Sequence, residues 1–429
     1  MSSADFAAAP AAAGNDAAQA RSLLFVVAFV LVIVTLRPFQ DLRAALTTGP
    51  VEGNDTLTYF AFLGLGAGAT ALAWRHAAPA LGALMRPAFL CLAAWICLSA
   101  LTSYDPMTSS KRAVLSFLVI ASAAMAPLLP RGRAEMAGLL TVVAAIPLAL
   151  CYFGVLFLPD VSIHSLADSL EPDLAGDWRG VFSHKNIASP VVGFLAYIGM
   201  YLARIGRRGA GFTIAGAALA FLYFTHGKTS SALWFPAAFV GYFLARSPGV
   251  ITFAVALVPP LTLNALGFGA QVAPALASLA AALPFDSSFT GRADLWRFAT
   301  QKIAERPFAG RGFDSFWDDP SLRANAEEGW IAGAAHAHNG YVDAMLAMGL
   351  IGLALTLWAF VVQPLADLRD CARGGADPAL AALAARIWVY GIWVSSLETF
   401  LYDRANPVWF LFLFAVFTLR YLATFRVAE

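Results

Sequence analysis

Apolar blocks of about 15–22 residues recur along almost the whole chain, each the length that crosses a hydrocarbon core of roughly 30 Å. A sequence built this way has few options other than a bundle of membrane-spanning helices. Composition agrees: the 429 residues are 59% hydrophobic and only 13% charged, against roughly 25% charged in a soluble domain, and the mean hydropathy is +0.69. The expected fold is all-α and polytopic. A formal net charge of +1 gives no reason to expect a nucleic-acid partner.

About twelve spans are expected, near 22–36, 57–74, 87–101, 113–129, 136–158, 187–202, 212–224, 231–245, 249–266, 341–362, 379–399 and 407–423. Residues 1–20, rich in alanine, read as a disordered cytoplasmic tail. Residues 21–266 carry spans one to nine, 267–340 a large periplasmic loop with short helices, and 341–429 spans ten to twelve. The block from Ser22 to Leu36 is read as a retained first span, because Arg37-Pro38-Phe39 is a poor small-residue cleavage site. Cys91, Cys97, Cys151 and Cys371 have no metal-ligand spacing, so neither a disulfide nor a thiolate metal site is expected.

Loop charges orient the bundle. With the N-terminus inside, Arg75, Arg86, Arg131, Arg133, Arg204, Arg207, Arg208, Arg246, Arg369, Arg373, Arg420 and Arg426 fall on the cytoplasmic side, while the acidic loop 159–186 falls outside. The connection 267–340 is far longer than two neighbouring helices require. Within it, Ala270 to Leu283 is apolar enough for a re-entrant or interfacial helix. Leu295, Phe298, Ala299 and Ile303 recur at helical spacing after Thr290, a candidate N-cap, and Pro307 follows the helix end.

The chemistry collects on the outer side. His164, His184, His226, His336 and His338 map there, with Lys111, Arg112, Arg179, Lys185, Lys228, Arg292 and Arg404. Cations are disfavoured on the translocated side and at the positive end of a helix dipole. Singly, each is equally well a snorkelling side chain; as a set they ask for an anion, and helix N-termini with Arg and Lys suit a phosphate. Arg179, His184, Lys185 and Asn186 cluster where the chain enters the sixth span. Gly227-Lys228-Thr229 lacks the glycine spacing of a nucleotide phosphate loop. His338, just before a helix N-terminus, is expected to have a depressed pKa suited to a general base.

The pair His338-Asn339 followed by Gly349 and Gly352, with Thr290-Gly-Arg-Ala-Asp-Leu-Trp296, Arg306-Pro and Gly310-Arg-Gly-Phe313, resembles the O-antigen ligase/polymerase superfamily of bacterial envelope glycan enzymes. The resemblance runs from about Ser99 to Gly352. Trp178-Arg-Gly-Val-Phe-Ser-His-Lys-Asn186 is most similar to the exopolysaccharide-polymerase branch. The resemblance implies a GT-C-type glycosyltransferase architecture in the bacterial inner membrane, with a site facing the periplasm. It also implies transfer of a glycan from undecaprenyl diphosphate to an acceptor hydroxyl. Arg292 matches the family's loop arginine and His338 its base, while Lys228 stands where a second family arginine is usual; lysine keeps the charge without the bidentate fork.

On this reading His338 and Arg292 are catalytic, and Arg112, Arg179, His184, Lys185, Asn186, Lys228, Arg311 and Asn339 bind substrate. Trp178, Trp296, Trp317 and Trp330 are candidate sugar platforms. No cofactor and no metal are expected, since oriented cations can stabilise a departing diphosphate. The partners are the lipid-linked donor, a glycan acceptor, the bilayer, and a chain-length regulator and export complex as candidate proteins. Two alternatives stay open: a ligase delivering finished glycan to lipid A core or to protein, and a lipid-glycan transporter. Arg386 and Glu398, read as lying within the eleventh span, are the features most in favour of the transporter.

Overall fold

The computed structural model describes residues 15–34, 38–41, 60–71, 82–84, 86–166, 168, 172–284, 289, 291–323 and 334–425. Among them there is no strand, only an isolated antiparallel bridge between Ile163 and Trp178. The protein is an all-α, multi-pass membrane protein, and a helix stands at each of the twelve expected positions. These are α1 (Asn15–Val34), α2 (Phe60–Ala71), α3 (Pro87–Leu101), α4 (Pro106–Met125), α5 (Arg133–Phe157) and α6 (Lys185–Arg204). They continue with α7 (Arg208–Phe224), α8 (Lys228–Arg246) and α9 (Val250–Leu266). The long connection holds α10 (Pro274–Ala282) and α11 (Arg292–Glu305), and the chain ends with α12 (Gly340–Leu357), α13 (Gln363–Gly374), α14 (Pro378–Val394) and α15 (Pro407–Thr424).

Six segments are long and apolar enough to cross a membrane by themselves: 106–128, 133–157, 185–204, 250–271, 340–374 and 407–424. The helices at 18–34, 60–71, 87–101, 208–224 and 378–394 are apolar but shorter. The fourth span begins earlier than hydropathy suggests. Asp105 caps it by accepting from Thr108 N at 3.1 Å and Pro106 opens it, so Arg112 lies inside the helix rather than ahead of it.

Two helices are buried on nearly every side, α14 and α15, and they form the centre of the bundle. Around them α6 packs on α7, α8 on α14, α4 on α15 and α12 on α3. The α6–α7 contact is closest at Gly199 and Gly211, where an added Cβ would stand 2.6 Å from Ala215 N and 2.3 Å from Ala203 N. Only glycine permits that approach.

The helix that carries the long loop back into the membrane is interrupted. Gly349 lies at φ 68° and ψ −172° inside α12, a region open almost only to glycine. The carbonyls freed there find other donors: Arg311 N bonds Leu346 O and Gly312 N bonds Ala347 O, each at 2.9 Å. Trp95 Nε1 bonds Met348 O at 3.0 Å. Backbone polar groups in an apolar surround must be paired; the Gly310-Arg-Gly-Phe313 loop supplies two of the partners and Trp95 the third.

Candidate active site

The His336–Asn339 segment joins the long loop to α12, and the surrounding structure fixes it from three sides. Asn339 is the N-cap: its side-chain oxygen accepts from Tyr341 N at 3.0 Å and Val342 N at 3.2 Å, and its amide nitrogen donates to Asn264 at 2.9 Å. Trp296 of α11, fully buried, donates its indole N–H to Ala337 O at 2.8 Å. Asp343, one turn into α12, accepts from Ala337 N with both oxygens at 3.1 Å, from Trp317 Nε1 at 2.7 Å, and from Thr399 Oγ1. Thr399 Oγ1 also accepts from Asn339 N at 3.0 Å. His338 is thereby held at φ 50°, a left-handed conformation that a non-glycine residue adopts only when its surroundings over-determine it.

A cavity of about 470 Å³ opens beside His338. Lys185, Asn186, Lys228, Arg292, His338 and Glu398 are among its walls. The first five come from four separate stretches of sequence, placed by the starts of α6, α8 and α11 and by the turn before α12. Glu398 sits beyond the end of α14 rather than inside a span. Its Oε1 accepts from Arg292 Nη2 at 2.9 Å and its Oε2 lies 3.4 Å from His338 Nδ1. Burial by itself would raise the Glu398 pKa; the His338 hydrogen bond and the Arg292 charge outweigh it, and the carboxylate is held below its usual range.

The remaining expected site residues lie outside this cavity. Arg179 is completely buried and its guanidinium donates to the carbonyls of Phe182 at 3.1 Å and Gln40 at 2.9 Å, bracing the loop before α6. His184 is the N-cap of α6, its Nδ1 accepting from Asn186 N at 3.0 Å. Asn339 is likewise a cap. Arg311 pairs with Glu305. Arg112 bonds the Asp314 carbonyl and the Asp318 carboxylate. Of the candidate sugar platforms, Trp296 has no exposed face, Trp178 is stacked on Phe224 at 4.4 Å between ring centres, and Trp330 lies outside the described residues, as does Thr290. Gly291, at φ 85°, holds the N-cap position of α11.

The structure corrects one premise. Most outer cations already have a carboxylate: Lys185 has Asp177, Arg112 has Asp318, Arg404 has Asp314, Arg311 has Glu305 and Arg292 has Glu398. His226 Nδ1 shares Asp177 at 2.6 Å. The acidic loops fold back onto the cations, so charge on the outer face does not by itself demand a ligand. Lys228 has no ion-pair partner among the described residues, and it lines the cavity.

A second cavity of about 280 Å³ lies against the other side of the same segment, lined by Asp314, Phe316, Trp317, His336, Asp343 and Asp403 among others. The His336 and His338 rings are 4.3 Å apart between centres. His336 therefore faces one cavity while His338 faces the other. Burial, with His338 adding in the same direction, pushes the His336 pKa down to about 4.

Residues 182–357 match the family described as O-antigen ligase. The resemblance is to that family. The matched segment takes in Lys185, Asn186, Lys228, Arg292 and His338, and leaves Glu398 beyond its end. The chain is also similar to the exopolysaccharide production protein ExoQ of Rhizobium meliloti (strain 1021), with 27% identity over 221 residues. That alignment covers 46% of this chain and 48% of the relative, so the chain spans about half the length of the curated relative it matches.

Proposed function

We propose that the chain is a glycosyltransferase of the inner membrane that polymerises undecaprenyl-diphosphate-linked repeat units into an exopolysaccharide at the periplasmic face, without a metal. The observation that carries the reading is the convergence of Lys185, Lys228, Arg292 and His338 on one cavity, from stretches the chain keeps far apart. Cations set around a cavity suit a diphosphate, whose charge grows as the sugar–oxygen bond breaks. The name of the Rhizobium relative favours an exopolysaccharide product.

In this mechanism Arg292, Lys228 and Lys185 hold the donor diphosphate, with Asn186 as a further hydrogen-bonding group. His338, its Nδ1–H directed at Glu398, presents Nε2 as the basic nitrogen. The acceptor hydroxyl loses its proton to Nε2 and its oxygen bonds the anomeric carbon. The bond to the diphosphate breaks, and its electron pair leaves with the phosphate oxygen. Attack opposite the leaving group inverts the anomeric centre.

The test is polymer formation from purified lipid-linked repeat units. His338→Ala and Arg292→Ala should lose product by at least about 100-fold, the usual scale for a proton-transfer or charge-stabilising group. Wild-type turnover in both folded variants overturns the assignment. Supplying a lipid A core acceptor beside the repeat units separates polymerase from ligase, and strict dependence on an added divalent metal would refute the metal-free mechanism.

A further inference from the structure

On the face of the bundle opposite the active-site cavity, three arginines gather around one tyrosine ring. The guanidinium carbons of Arg204, Arg246 and Arg386 lie 5.4, 5.3 and 5.4 Å from the centre of the Tyr242 ring. No two can be farther apart than twice that distance. Arg246 also bonds the Tyr242 hydroxyl. A ring has two faces and one hydroxyl, so the tyrosine gives each guanidinium a contact, but it supplies no negative charge.

None of the three forms a salt bridge among the described residues, and α6, α8 and α14, which carry them, contain no Asp or Glu. Their neighbours on the same face differ. Arg86 and Arg420 share Asp367, Arg131 has Glu135, and Arg133 has Asp377. Arg207, Arg208, Arg369 and Arg373 on that face also have no carboxylate among the described residues, but they stand exposed and apart; what distinguishes this trio is that it converges on one ring with one member buried. The ends of α6 and α8 are negative ends of helix dipoles, which accounts for Arg204 and Arg246. It leaves Arg386 unexplained, because Arg386 lies in the interior of α14, only 6% exposed, with one hydrogen bond among the described residues, from Nε to Ala238 O at 3.1 Å. A buried charge without a counter-charge is costly.

We propose that this cluster is a binding site for the phosphate of an anionic phospholipid headgroup in the leaflet opposite the active-site cavity. Arg204 and Arg246 are the last residues of their helices, which on this proposal sets them at the depth of the headgroup phosphates, with Arg386 reaching toward them from within α14. Basic pockets between membrane helices recognise such headgroups. The forks of Arg204 and Arg386 match phosphate oxygens in geometry. The site is independent of the glycan chemistry, since none of its residues touches the cavity at His338.

The full-length protein is titrated in detergent with phosphatidylglycerol or with phosphatidylcholine, and retained lipid is counted by native mass spectrometry. One phosphatidylglycerol should be held at least tenfold more tightly than phosphatidylcholine. Arg204→Gln with Arg246→Gln, both exposed positions, should remove that preference. Arg208→Gln with Arg373→Gln, which takes away the same charge from the same face, should retain it. Displacement of the lipid by millimolar inorganic phosphate would show that the phosphate group alone suffices. Equal retention of the two lipids, or equal loss in both double variants, overturns the proposal.

Discussion

Glu398 and Arg292 are 106 residues apart in the chain, and the carboxylate oxygen of one lies 2.9 Å from the guanidinium of the other. The second oxygen of Glu398 faces His338 Nδ1 at 3.4 Å, so one carboxylate touches both residues assigned to the chemistry. It orients the imidazole and fixes the guanidinium through one of the arginine's five N–H groups, and the other four have no partner among the described residues. A residue placed this way acts by positioning. Glu398→Gln keeps the shape but presents Nδ1 with either an oxygen or an N–H, so the ring can settle in the wrong tautomer. The expected result is a fall in kcat of at least about tenfold with little change in KM for lipid-linked donor. The pH profile should also alter, which a purely structural role would not produce.

Lys228 and Arg179 separate binding from bracing. Lys228 is exposed, unpaired among the described residues and on the cavity wall, whereas Arg179 is enclosed and bonded to two carbonyls. Lys228→Met should leave thermal stability unchanged and raise KM for donor several-fold. Arg179→Met strands buried acceptors at a cost of about 1–3 kcal/mol. It should lower the unfolding temperature while turnover per folded molecule stays near wild type.

Asp343 ties the His336–Asn339 segment to Trp317 and Thr399. Asparagine in its place keeps one acceptor oxygen but turns an N–H group toward donors. Asp343→Asn should cost about 2 kcal/mol and speed amide hydrogen exchange at Ala337 and His338 relative to α14. Unchanged exchange there would remove Asp343 from the positioning role.

His336 carries a pH signature. Its folded pKa, pushed down to about 4 by burial and His338, lies below the ordinary value near 6.5. The unfolded chain therefore binds the extra proton between those limits. Stability from the neutral ring is present above about pH 6.5 and is lost as the pH falls toward 4. Asp314, whose pKa burial raises although 35% of its side chain stays open to solvent, works in the opposite direction within this range. The comparison of His336→Gln with wild type isolates the histidine: the variant should lose less unfolding temperature between pH 6.5 and 4.5.

How far the sequence carries the reader depends on the range of the interaction. The spans are legible because apolar length is a local property. Lys185, Asn186, Lys228, Arg292 and His338 are legible as polar groups out of place at helix starts, and the structure brings them to one cavity. What is lost is pairing. Arg112 meets Asp318 and Arg404 meets Asp314 across 206 and 90 residues, so a reading along the chain counts cations without their partners. Glu398 suffers from the same limit: the hydropathic run 379–399 places it in a span, whereas α14 ends at Val394. The signal that could have found it is the Ser395-Ser396 pair before it, polar residues that mark an end of the apolar run. Arg179 and Asn339 show the converse, since a backbone brace or a cap and a substrate ligand use the same donors.

Gly349 makes the final test, because it decides whether the break in α12 belongs to the site. At φ 68° and ψ −172° an L side chain costs of order 1–3 kcal/mol in backbone strain. An added Cβ would also stand 2.2 Å from the carbonyl carbon of Phe308, which is backbone and cannot swing aside. The alanine variant must straighten α12 or push away the 307–312 loop. Either movement withdraws the N–H groups of Arg311 and Gly312 from Leu346 and Ala347, and both carbonyls belong to the helix that begins at the His338 turn. Gly349→Ala should therefore lose at least about 2 kcal/mol and, on the proposed function, much of its turnover of lipid-linked repeat units together. Gly216→Ala, inside α7 with open space around its Cβ, should be neutral or slightly stabilising by the usual helical preference for alanine. If Gly349→Ala loses stability but keeps full turnover, the break serves folding alone and the loop is not part of the catalytic frame.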